Sequence, residues 1–162
     1  MNYRKIFRVI VQVSRFGLAA LFLFTAGAKL WIVKAFAANV GQLLAGSGFN
    51  YARWMWPVAI GVIVLELITA ALLLLPQTVR IGALIAALML VGFAVYALYY
   101  VYVLDGEPLE CGCFGKILAS QLGVKTTLRN LALLIPALLV LFGYRRLPQQ
   151  TTVMAESDNA IA

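Results

Sequence analysis

Residues 54–75, WMWPVAIGVIVLELITAALLLL, and residues 81–104, IGALIAALMLVGFAVYALYYVYVL, decide the fold. The first stretch holds a single charged side chain, Glu66, and the second holds none. A helix needs about 20 consecutive apolar residues to cross the hydrocarbon core of a bilayer. Water is absent there, so the backbone must satisfy its own hydrogen bonds, and a helix does so. Barrel strands would alternate apolar with polar residues, and neither stretch does. Between the two, Pro76 to Arg80 leaves room only for a tight turn, so the two helices are expected to be antiparallel neighbours.

The rest of the chain extends the pattern. Of its 162 residues, 64% are hydrophobic and 12% charged, against roughly 25% charged in a soluble domain. The surplus of apolar residues belongs in lipid. A first span is expected over residues 13–33, after a basic head, and a last span over 126–144, with Pro136 inside it to bend it and free a carbonyl. The expected architecture is an all-α, integral membrane four-helix bundle over residues 1–147, followed by a disordered polar tail over 148–162. Ala26-Gly27-Ala28 also resembles a cleavage site after a basic head and an apolar stretch, which makes a secretory signal the rival reading of the first span. Residues 34–53 are expected to form a loop or a helix lying in the interface, with Ala35 to Leu44 as its apolar part and Gly46 to Asn50 as its breaker. Trp54 and Trp56 open the second span and Tyr96, Tyr99, Tyr100 and Tyr102 close the third, as aromatic residues do at headgroup level. Gly82 with Ala86, and Ala83 with Ala87, stand at the spacing that lets helix backbones approach closely; ordinary lipid-facing alanine has the same spacing.

A net charge of +7 does not point to nucleic acid, because the basic residues sit at the ends of the apolar runs, where they anchor helices at the lipid headgroups. Arg4, Lys5, Arg8, Arg15, Arg80, Arg145 and Arg146 fall on one side. Lys29, Lys34, Arg53, Lys116, Lys125 and Arg129 fall on the other, together with Asp105, Glu107 and Glu110. The basic head of the first span weighs most. It places both termini in the cytoplasm and the loop 105–125 outside. The absence of histidine removes His-based catalysis and His-ligated metals.

That outer loop carries the chain's two cysteines, in Cys111-Gly112-Cys113-Phe114-Gly115. One intervening residue allows only a small, strained disulfide ring, and glycine gives the backbone freedom to close it. Strain makes a disulfide more oxidising and labile. A structural staple gains its stabilisation by closing a long loop, and this pair closes almost none. Lys116 would favour a thiolate and Glu110 oppose it. The redox reading of Cys111 and Cys113 therefore leads. Beside it stand half of a metal site completed by a second subunit, acylation at the membrane edge, and no chemistry at all.

Two further polar positions stand out. Glu66 lies near the middle of its span, and an ionisable residue there is a functional-site hypothesis by default. Protonation, pairing with Lys29 or Arg129, and exposure to a cavity are the open readings, with a structural pair that sets helix register as the plain one. Arg129-Asn130 lies at the outer end of the last span, where the arginine either snorkels or meets the cysteine loop or a polar head such as a quinone carbonyl.

These residues together resemble the MauE branch of the DoxX-like membrane proteins. The resemblance rests on Arg15, Leu18, Phe22, Gly27 and Lys29 in the first span, Glu66-Leu67 in the second, the Cys-Gly-Cys-Phe-Gly segment, and Arg129-Asn130 in the last, and it covers about residues 12–142. It implies a four-helix bundle in the bacterial inner membrane and a role in methylamine utilisation, where such proteins help mature the disulfide-rich periplasmic small subunit of methylamine dehydrogenase. It also implies a thioredoxin-like partner, and its DoxX relatives point to quinone-coupled redox chemistry. The leading expectation is a thiol–disulfide redox protein in which Cys111 and Cys113 exchange with an extracytoplasmic thioredoxin-like partner on behalf of a periplasmic client. A single cysteine pair cannot relay electrons across the membrane by itself, so turnover needs another acceptor. A quinone near Arg129, Glu66 and the tyrosines is the candidate. A non-enzymatic assembly or export factor is the alternative, and a small transporter a distant third.

Overall fold

The computed structural model describes residues 3–48, 50–102 and 124–144. The cysteine loop with Cys111 and Cys113, the last residues of the expected third span and the tail lie outside the described residues. Five helices account for the described chain: α1 over Tyr3–Trp31, α2 over Val33–Gly46, α3 over Tyr51–Leu74, α4 over Val79–Tyr102 and α5 over Val124–Gly143. No strand occurs among the described residues. Three of the helices, α1, α3 and α4, are long and apolar enough to cross a membrane. The apolar part of α5, Thr127–Gly143, is shorter.

The boundaries follow from local chemistry. α1 starts inside the basic head, at Tyr3, because a helix does not stop where lipid gives way to water. It then runs through Ala26-Gly27-Ala28 without a break, and Ala26 is fully buried. α2 buries Phe36, Ala37, Val40 and Gly41, the positions i, i+1, i+4 and i+5 of one helical stripe. Ser47 ends it, with its backbone N–H donating to Leu44 O at 3.1 Å. α3 begins three residues before Trp54, so Pro57 falls in its second turn, where it removes the donor to the Arg53 carbonyl near the helix end.

α1 packs on α3 and α5, α4 packs on α5 and α3, and α2 lies against α3. The main core draws on four helices: Leu18, Phe22, Leu73, Ala83, Leu90 and Val140 are among its buried members. A second cluster joins Ala26 of α1, Phe36 and Val40 of α2, and Ala59 and Ile63 of α3. On α4 the division of labour is plain. Ala83, Ala86, Ala87, Ala94 and Ala97 are buried, while Leu84, Leu88, Val91 and Val95 are exposed. Small residues thus make up most of the face toward the neighbouring helices, joined by Met89 and Leu90, and other large apolar residues face outward, the arrangement expected against lipid. The small-residue spacing is therefore an interhelical contact surface. Gly82 shows how close that contact is: a Cβ there would stand 2.9 Å from the Leu73 backbone nitrogen.

α1 and α3 run antiparallel, as their cross-links show. Arg15 meets the end of α3, and Lys29, further along α1, meets Glu66, further back along α3. Thr69 and Met89, in contact at 3.6 Å, give α3 and α4 the same relation. One end of the assembly therefore gathers Trp31, Tyr51, Trp54, Trp56, Tyr99 and Tyr102, all exposed, as an aromatic belt at one membrane surface.

Candidate functional site

Arg15 is 5% exposed although it is charged. Its Nε donates to Leu73 O and its Nη2 to Leu74 O, both at 2.6 Å. The last carbonyls of a helix have no intrahelical donor and carry the negative end of its dipole. A guanidinium, with its fixed fork of donors, satisfies two of them at once. The Phe16 and Tyr144 rings flank the same guanidinium at 5.2 and 5.8 Å. Arg15 therefore ties α1, the end of α3 and the end of α5 together, a structural role that accounts for its place in the first span.

The centre of the site is the ion pair between Lys29 Nζ and Glu66 Oε1, both side chains almost fully buried. Fourteen residues separate Arg15 from Lys29, a rise of about 21 Å, whereas seven separate Leu73 from Glu66, about 11 Å. The side chains close the difference. A helical Cα–Cβ bond leans toward the helix N-terminus, so in antiparallel helices Lys29 leans back toward Arg15 while Glu66 leans the opposite way, and the two converge. Lys29 Nζ also lies 5.3 Å from the Phe36 ring and 5.6 Å from the Phe93 ring, within cation–π range. Of the readings open for Glu66, the structure has two at once: it pairs with Lys29 and it faces a cavity.

That cavity, about 30 Å³, is lined by Thr25, Glu66, Arg129 and Asn130 together with apolar side chains of α1, α4 and α5. Glu66 Oε2 and Asn130 Nδ2 are buried and have no hydrogen-bond partner among the described residues. An acceptor and a donor thus face one space of water size, since a site of about 10–15 Å³ already holds a water. Thr25 turns its hydroxyl to Phe22 O at 3.1 Å. Arg129 and Asn130, read as a unit at the start of the last span, share this space with Glu66. A quinone ring is too large for it.

A second, larger pocket of about 410 Å³ opens on the other side of the pair. Its walls come from α2, α3 and α4, including Phe36, Val40, Val62, Phe93 and Tyr96, and Lys29 is its charged member. Tyr96 fixes one rim by donating its hydroxyl to Leu43 O at 3.0 Å, beside Ser47 Oγ at 3.3 Å. In the sequence Tyr96 reads as one of the belt tyrosines and a candidate quinone neighbour; its bond to α2, and the positions of Phe36 and Phe93 beside Lys29, carry no signal in a sequence where aromatic residues are common. The Lys29–Glu66 pair thus stands between an apolar pocket and a small polar cavity. Among the described residues no three of His, Cys, Asp or Glu gather to hold a metal ion.

Long apolar helices, a lipid-like exterior and a buried ion pair at the helix contacts define a multi-pass helical membrane protein. A family model, described as methylamine utilisation protein MauE, matches residues 7–143. The chain belongs to the MauE family. No curated protein and no solved structure gives a match.

Proposed function

We propose that this chain is a membrane thiol–disulfide redox protein of the bacterial inner membrane that supports maturation of an extracytoplasmic client. Membership of the MauE family, with its description as a methylamine utilisation protein, supports a client in methylamine oxidation or a related redox pathway. The observation that carries the reading is the Cys111-Gly112-Cys113 segment, set between α4 and α5 in a chain with no other cysteine. In this reading α5 is the fourth span of a four-helix bundle, both termini are cytoplasmic, and the cysteines face outward, where disulfides persist.

Cys111 and Cys113 exchange with a thioredoxin-like partner. When their dithiol closes to a disulfide it releases two electrons and two protons. A membrane quinone takes up both and becomes a quinol. Without such an acceptor the pair exchanges once and stops. The test replaces both cysteines by serine and follows disulfide formation in the client. Loss of client disulfides, with the variant still present in the membrane, supports the reading. Full client maturation overturns it in favour of a non-enzymatic assembly factor.

A further inference from the structure

We infer that the 410 Å³ pocket between α2, α3 and α4 is the binding site for a membrane quinone, held by a hydrogen bond from Lys29 to a ring carbonyl. The choice of ligand rests on the thiol-redox reading above, and the site itself rests on the pocket's geometry. The volume falls within the roughly 300–1,000 Å³ of small-molecule sites, which are mostly apolar with a few placed polar groups. The walls are apolar, as an isoprenoid chain requires, and Lys29 supplies the charge. An ammonium carries three donor hydrogens. Glu66 Oε1 takes one, and no other acceptor bonds Lys29 within the described chain. A saturated acyl chain filling the pocket would lay methylene groups against the remaining donors, which a buried polar group tolerates poorly. A carbonyl oxygen accepts one of them. Phe36 and Phe93 flank the same nitrogen and line the pocket beside it, so a ring whose carbonyl meets Lys29 has aromatic neighbours. On the far side of the pair, the small cavity bounded by Glu66 and Asn130 gives the carboxylate a polar outlet away from the ligand.

Gly92 makes the inference testable without disturbing the core. It lines the pocket, and a Cβ added there meets nothing within 4 Å. Gly92→Phe therefore fills the pocket from its open side, with Gly92→Leu as a milder form. Gly61→Phe is the control: it too adds a side chain into open space, on a position outside this pocket. The full chain, with Cys111 and Cys113 replaced by serine, is placed in phosphatidylcholine nanodiscs and exposed to a photoreactive short-chain benzoquinone, and labelled peptides are mapped by mass spectrometry. Labelling is expected to saturate, to fall on α2 and on residues 92–97, and to weaken at least about tenfold in Gly92→Phe, the equivalent of about 1.4 kcal/mol, while Gly61→Phe labels like the parent. Unsaturable labelling overturns the inference. So does equal labelling of the Gly92 variants, or equal competition by a saturated alcohol of the same chain length. Because the tested chain has no thiols, the site stands or falls independently of the cysteine chemistry.

Discussion

Replacing Lys29 by methionine keeps most of the side chain's volume and removes its charge. Glu66 is then left 2% exposed, with one oxygen already lacking a partner. Breaking a buried pair by removing one member costs about 3–5 kcal/mol. The expected loss for Lys29→Met is therefore about 3–5 kcal/mol. Glu66→Gln leaves the buried Lys29 ammonium without its counter-charge and should also cost about 3–5 kcal/mol, toward the lower end because the amide oxygen still accepts from Lys29. The double variant has no buried charge and should recover about 2 kcal/mol relative to the sum of the singles. Reversible unfolding in mixed micelles of increasing dodecyl sulfate content, followed by tryptophan fluorescence, measures all three. A single-variant loss below about 1 kcal/mol, within the range of an exposed pair, would refute the burial argument. Additive losses would show that the two residues do not interact.

Arg15→Met removes two charge-assisted bonds to the Leu73 and Leu74 carbonyls, each worth about 1.5–3 kcal/mol; thermal unfolding in detergent should show a loss clearly larger than that of Arg15→Lys. Gly82→Ala places a Cβ against the Leu72–Leu73 backbone and should cost about 1–3 kcal/mol as overpacking, whereas Gly61→Ala should be neutral in the same melt. Tyr96→Phe deletes the donor to Leu43 O, a loss of about 1 kcal/mol, and hydrogen exchange should speed up in residues 33–46 more than in α3.

Hydropathy defines the long helices, and packing decides how they pair. Among the described residues the two expected central spans coincide with α3, Tyr51–Leu74, and α4, Val79–Tyr102, with the tight turn between them, because a long apolar run has one solution in lipid. The first span emerged with a longer helix, since hydropathy marks the lipid boundary while Lys5 and Arg8 remain good helix formers beyond it. For residues 34–53 both a loop and an interfacial helix were open; α2 is a helix, and it lies on α3 through Phe36 and Val40. The pairing of Glu66 had two candidate cations, Lys29 and Arg129. Choosing between them needs the register of α1 against α3, which apolar runs do not encode, and the lean of Lys29 and Glu66 toward each other settles it. Gly82 and the alanines of α4 were legible as a spacing, but which face of α4 meets the other helices depends on the Leu and Val residues that oppose them.

The central claim concerns two thiols on the outer side of the membrane. Intact cells are treated with a membrane-impermeant maleimide, before and after mild reduction, and the chain is then weighed by mass spectrometry. Modification of Cys111 and Cys113 from outside, with the extent rising after reduction, is the expected result. Modification only after the cells are permeabilised, or an extent that reduction leaves unchanged while the client is being matured, would contradict it.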